Sequence, residues 1–147
     1  MLQKAVPRLR HGTLQALIGS QLLAISREIC GFAASEVHVW FEGRGYLVPD
    51  VAYWAAGKPQ GTEGRSLPPT LAIEIRSPDQ SLNEQHEKCR HMRANGVDVC
   101  WLIDPVRRTA EVFDDASDGR PESEHLESDL LPGLAIDLAD LFAGLEG

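Results

Sequence analysis

From Leu9 to about Ile29 the apolar residues Leu14, Leu17, Ile18, Leu22, Ile25 and Ile29 recur at steps of three and four. That spacing lines one face of a helix and predicts an opening helix over the stretch. The period then changes: Val37, Val39 and Phe41 alternate with His38 and Trp40, which predicts a strand with one face inward. The turn Glu42-Gly43-Arg44-Gly45 follows, and Tyr46–Trp54 reads as the returning strand of an antiparallel hairpin. Ala55–Pro69 holds three Gly and three Pro in fifteen residues, too many breakers for a regular element, and predicts a surface loop.

Leu71–Arg76 (Leu-Ala-Ile-Glu-Ile-Arg) predicts a short strand with Leu71, Ile73 and Ile75 on one face and Glu74 and Arg76 together on the other. Ser77-Pro78-Asp79 offers a cap for a helix from about Asp79 to Asn95, ended by Gly96, with Leu82, Cys89 and Met92 inward. Val97–Asp104 is then a second apolar strand. A strand, helix and strand of these lengths form a crossover unit, so the two strands should be parallel neighbours. Asp104-Pro105 reads as a strand stop, Arg108–Asp114 as a hairpin strand, and Glu122–Glu146 as one more strand with a short final helix. The expected fold class is α/β: a central mixed β-sheet of about four or five strands flanked by an N-terminal helix and a crossover helix.

Composition narrows this further. The 147 residues argue for a single domain spanning 1–147, and 43% hydrophobic with 24% charged residues is that of a globular chain. No stretch reaches the roughly 20 apolar residues of a membrane helix. The basic start Met1–Arg10 is not followed by a signal peptide's apolar region, so a cytoplasmic location without membrane contact is expected. Cys30, Cys89 and Cys100 are an odd count without paired spacing, which points to buried thiols rather than disulfides or a zinc knuckle. The net charge of −8 is unevenly spread: residues 1–110 sum to +2 and residues 111–147, with Arg120 as their one basic side chain, to −10. A nucleic-acid partner is therefore compatible with an acidic whole, provided the acidic segment packs away from the binding cleft.

The candidate chemistry lies in Pro49-Asp50, then Glu74-Ile75-Arg76, then Lys88. If the strands holding Asp50 and Glu74 pair, two carboxylates converge on one cation, and hard oxygen ligands of this kind suit Mg²⁺ or Mn²⁺. Such a cation takes phosphate oxygens as further ligands, which makes a phosphodiester the natural substrate class, and a nearby cationic side chain would stabilise charge developing on it. The structural alternatives are a turn role for Asp50, a salt bridge of Glu74 with Arg76 or Lys88, and an exposed i,i+4 pair of Lys88 with Glu84. His86, Cys89 and His91 are not spaced to share one helical face, which argues against a zinc site. Trp40, Trp54 and Trp101 read as core strand residues, with base stacking the lesser reading.

The stretches from His11 through the opening helix, Pro49-Asp50-Val51, Leu71–Pro78, Glu87-Lys88, Gly96-Val97, Trp101–Pro105 and Leu131–Leu138 together resemble the Uma-two family of bacterial proteins, which have the PD-(D/E)xK restriction-endonuclease-like fold. The resemblance implies a metal-dependent endonuclease acting on DNA rather than RNA, with Mg²⁺ or Mn²⁺ as cofactor and a homodimer as a compatible assembly. It implies catalytic roles for Asp50, Glu74, Arg76 and Lys88, with the metal held by Asp50, Glu74 and the backbone carbonyl of Ile75. Arg76 stands where typical nucleases have lysine. Being permanently cationic it cannot act as a general base, and Lys88 on the following helix is the implied substitute. His11 becomes a candidate neighbour of the site. The chain opens close to the first helix, so an acidic ligand that many members carry upstream is expected to be missing. The alternative is a catalytically silent module of the same fold that binds nucleic acid or protein.

Overall fold

A computed structural model describes residues 2–62 and 65–146. Helix α1 spans Leu2–Ile29, and the predicted stripe faces inward, with Leu14, Ile18, Leu22 and Ser26 buried at steps of four. The helix ends in a Schellman motif. Cys30 takes the left-handed conformation (φ 59°) and the Gly31 N–H donates to the Ser26 carbonyl at 3.1 Å. Cys30 is exposed there, against the expectation of a buried thiol, because this turn points its side chain away from the helix's inner face; Cys89 and Cys100 are buried as expected.

The strands are β1 (Phe32–Ser35), β2 (Val39–Phe41), β3 (Gly45–Leu47), β4 (Val51–Trp54), β5 (Gly61–Thr62), β6 (Arg65–Ser66), β7 (Leu71–Ile75), β8 (Val99–Asp104), β9 (Thr109–Asp114), β10 (Ser117–Glu122), β11 (His125–Leu126) and β12 (Ile136–Asp137). Helix α2 (Leu82–Ala94) joins β7 to β8, and α3 (Leu138–Ala143) closes the described chain. Six strands form the central sheet in the order β1-β4-β7-β8-β9-β10. Within this sheet only β7 and β8 pair in parallel among the described residues, as the crossover unit predicts; its other pairs are antiparallel. The sheet is therefore mixed, with more strands than expected: β1 carries no alternating pattern and β10 (Ser-Asp-Gly-Arg-Pro-Glu) has no large apolar side chain besides Pro121. Both are edge strands.

The expected returning strand Tyr46–Trp54 is two elements. β3 pairs β2 in a small sheet ordered β3-β2-β6-β5, whereas β4 belongs to the central sheet. Pro49, which has no N–H to give a ladder, stands at the break. Within the predicted loop, the short β5 and β6 complete the small sheet. Helix α2 starts later than Asp79 because Ser81, not the Ser77 turn, is its cap: the Ser81 Oγ accepts the Glu84 N–H at 3.1 Å, while Ser77 Oγ accepts the Asp79 N–H at 3.3 Å. Either serine could cap by sequence; Ser81-Leu82-Asn83-Glu84 also has the acidic fourth residue of a capping box.

The core has two layers. Leu71, Ile73 and Ile75 of β7 pack with Leu14, Ile18 and Leu22 of α1 and with Leu138, Leu141 and Phe142 of the C-terminal segment. On the other face, Ala72, Cys100 and Leu102 pack with Cys89 and Met92 of α2 and with Val39 and Phe41 of the small sheet. No described helix is long and apolar enough to cross a membrane.

Two glycines test this packing. A Cβ at Gly31 would fall 2.2 Å from the ring of Tyr53, which is buried in the first layer, whereas nothing lies within 4 Å of one at Gly19 on α1. Gly31→Ala is expected to lower stability in urea by about 1–3 kcal/mol through overpacking. Gly19→Ala is expected to raise it by up to about 1 kcal/mol through helix propensity. Equal effects of the two changes would contradict the placement of β4 against the end of α1.

Candidate active site

The ladder between β4 and β7 sets Val51 opposite Ile73. Continued by one residue, that register brings Asp50 opposite Glu74, and cross-strand neighbours of this kind stand on the same face. Here the strands stop exchanging backbone bonds and exchange side-chain bonds instead. The Asp50 N–H donates to Glu74 Oε2 at 3.1 Å, and the Ile75 N–H donates to Asp50 Oδ2 at 2.7 Å. Two carboxylates 24 residues apart in sequence are thereby locked together.

Two helices complete the group from opposite sides of the sheet. Lys88 of α2 forms an ion pair with Glu74 Oε1 and donates to the Val48 carbonyl at 3.3 Å, so its partner is not Glu84. From α1, His11 Nε2 lies 3.4 Å from Asp50 Oδ1, and Gln15, one turn on, donates through Nε2 to the Asp50 carbonyl at 2.9 Å. His11 is an interior residue of the helix, which begins at Leu2 rather than near Leu9. Gln15 was not singled out in the sequence; its one signal is the i,i+4 spacing from His11.

Arg76 engages a different partner. Its Nη1 donates to Asp104 Oδ2 at 3.1 Å, and its N–H donates to the Ile103 carbonyl at 2.7 Å. The contacts thus gather Asp50, Glu74, the Ile75 backbone, Lys88 and His11, while Arg76 pairs one strand over. Asp104 also stops its strand as expected, accepting the Val106 and Arg107 N–H groups on Oδ1. His86 turns to Glu111 (2.6 Å), Cys89 to Cys100, and the His91 ring to the Asn95 side chain (3.4 Å), so the three point to separate partners. Trp54 and Trp101 are buried, but Trp40 is only half-buried, with Tyr46 beside it and the Arg65 guanidinium 4.3 Å above its ring. The acidic segment contributes the sheet edge far from β4, and its Glu111 and Asp118 pair with His86 and Arg90 of α2.

The electrostatics follow from burial. Glu74 is 5% exposed, and that desolvation pushes its carboxyl above the usual range; Lys88 pulls it down, and the Asp50 charge adds to the rise. The hydrogen bond to Asp50 raises His11 above its ordinary value of 6.5, against a smaller lowering by burial. Ionised together, the two carboxylates face one lysine ammonium, which leaves an uncompensated negative charge whenever His11 is neutral. Each of the four carboxylate oxygens has one partner named above, and each ionised oxygen offers a second lone pair. No group of three His, Cys, Asp or Glu side chains among the described residues is placed to hold a metal. Two carboxylates are the donor number that Mg²⁺ commonly takes from a protein, the rest of its shell being water and substrate oxygens.

Comparison with known proteins gives the family and the fold. Residues 1–146 match the Uma2 family, described as "Putative restriction endonuclease". Among solved structures, one from Anabaena variabilis described as "a putative nuclease belonging to DUF820" superposes with a TM-score of 0.79 at 24% identity, covering 92% of this chain and 82% of its own. That likeness establishes the fold. The DrdV–DNA complex has a TM-score of 0.43 at 12% identity, covering 93% of this chain and 13% of its own, too distant to bear on function. No curated protein matches the sequence significantly.

A histidine held more tightly to its proton in the fold stabilises the protein below its unfolded pKa of about 6.5 and loses that contribution as pH rises through the raised folded value. With a chelator present, the melting-temperature advantage of wild type over His11→Gln is therefore expected to be largest below pH 6.5 and to shrink above it. Glu74, raised above its ordinary 4.5, acts in the same direction at lower pH and is common to both proteins. An advantage that does not change with pH would show that His11 and Asp50 do not interact as an ion pair.

Proposed function

Because the chain belongs to the Uma2 family, we propose that it is a metal-dependent endonuclease hydrolysing phosphodiester bonds of DNA. The observation that carries this reading is the lock of Asp50 and Glu74 across β4 and β7, which the structural alternative for Glu74, the salt bridge it forms with Lys88, does not require. Asp50, Glu74 and the carbonyl of Ile75 would hold Mg²⁺ or Mn²⁺. When bound, the cation supplies charge neutralisation at the phosphodiester and acidification of attacking water. The rest of the work falls to the chain. The Ile75 N–H and His11 fix the direction in which Asp50 presents its carboxylate. The Asp50 N–H does the same for Glu74, so the pair is organised before substrate arrives. Lys88 brings a proton-bearing amine beside the carboxylates, able to bond a phosphoryl oxygen as charge builds on it. Unlike a guanidinium, an amine can also give up its proton, so it suits the role that lysine has in the nuclease motif.

Nicking of supercoiled plasmid in Mg²⁺ or Mn²⁺ tests the reading. Wild type is expected to nick and Glu74→Ala to be inactive. Lys88→Met is expected to be slower by at least tenfold, about 1.4 kcal/mol of transition-state stabilisation. Mn²⁺ is expected to raise the melting temperature of wild type and not of Asp50→Ala/Glu74→Ala, since a ligand that binds the native state alone stabilises it by mass action. An inactive wild type, or an equal thermal shift in both proteins, would overturn the proposal.

A further inference from the structure

The register that sets Asp50 opposite Glu74 continues across the sheet. Glu74 pairs with Leu102 of β8, Leu102 with Glu111 of β9, and Glu111 with Pro121 of β10. Neighbouring strands lie about 4.8 Å apart, so Leu102 is one strand spacing and Glu111 about 10 Å from Glu74 along a single face. Beside this row opens a cavity of about 220 Å³. Leu82, from the first turn of α2, and Leu102 give it apolar walls; Arg76, Asp104, Arg107 and Glu111 give it polar ones.

The lining selects the chemistry of an occupant. Two cations and two anions cancel, and the carboxylates disfavour a phosphate, so the cavity suits a neutral group bearing both donors and acceptors. At about 220 Å³ it is smaller than the roughly 300 Å³ at which pockets for drug-sized ligands begin, a volume suited to a single ring system. Arg76 commits only Nη1 to Asp104, leaving other guanidinium N–H groups to donate.

We propose that this cavity takes a nucleobase of the strand whose phosphodiester lies at Asp50, Glu74 and Lys88. The inference rests on the endonuclease reading and adds to it a base-reading role for Arg76, the residue at the motif's lysine position. Arginine donors match the O6 and N7 acceptors of guanine, and the Asp104 and Glu111 carboxylates match its N–H groups, so guanine is the preferred base. A base inside a duplex cannot enter such a cavity, so the base must be unpaired or flipped out of the stack.

Fluorescein-labelled 12-nucleotide thymidine oligomers carrying one guanine, adenine, cytosine or abasic site are titrated with protein in chelator, with anisotropy as the readout. The guanine oligomer is expected to bind wild type at least tenfold more tightly than the abasic one. Arg76→Met is expected to reduce that ratio to twofold or less. Leu82→Trp, which fills the cavity from a half-buried position, is expected to do the same by a separate route. Equal binding of all four oligomers to wild type would overturn the proposal, as would an undiminished guanine preference in both variants. A wild type that nicks plasmid but does not distinguish bases removes the cavity's role alone. A wild type that distinguishes bases but does not nick removes the endonuclease reading.

Discussion

Everything at the site depends on the exchange of bonds where β4 and β7 part. Past Val51 and Ile73 the amide-to-carbonyl ladder gives way to the Asp50 N–H on Glu74 and the Ile75 N–H on Asp50. Charge-assisted bonds of this kind are roughly twice as strong as neutral ones. Together with the Lys88 ion pair, which favours the ionised form most, the Asp50 N–H lets a carboxylate that is 5% exposed persist in an otherwise apolar strand, where an unpaired one would be costly. The same bonds aim both acids, so the feature that makes Glu74 tolerable is also the one that makes the pair usable.

The layered fold then decides which cations reach the acids. Alternation on β7 turns Ala72 and Glu74 toward α2, and Lys88, one turn from Gln85 on its inner face, meets Glu74 there. Arg76 shares the parity of Glu74 but sits beyond the last residue of β7, where Asp104 ends the neighbouring parallel strand. A guanidinium offered a carboxylate at 3.1 Å with a planar donor fork stays with it. One cation is thereby assigned to the carboxylate pair and the other to the adjoining cavity.

Charge is organised along the same lines. Of the C-terminal acids, those on β9 and β10 belong to the sheet edge remote from β4, and two of them, Glu111 and Asp118, are paired with α2. Asp114 is buried and spends its oxygens on the Ala116 N–H and the Ser128 hydroxyl. The whole-chain charge of −8 thus says little about the potential at Asp50 and Glu74.

Local pattern was enough for the opening helix, the crossover from β7 to β8 and the candidate acids, because period and spacing are properties of consecutive residues. The stripe Leu14, Ile18, Leu22 could face only a core, and an apolar strand interrupted by Glu74 announced a buried acid in need of a partner. The division of Tyr46–Trp54 between two sheets, the cap at Ser81 and the edge strands β1 and β10 were not legible. Pro49 and Ser81 each had local rivals of equal standing, and edge strands need little hydrophobic pattern of their own. Partners were settled by tertiary structure alone. His11 and Gln15 meet Asp50 across more than thirty residues, Lys88 takes Glu74 in place of Glu84, and Arg76 takes Asp104. Sequence names which side chains carry charge; which charges face each other depends on strand register and on the faces two helices turn to the sheet, and both are set only when the core packs.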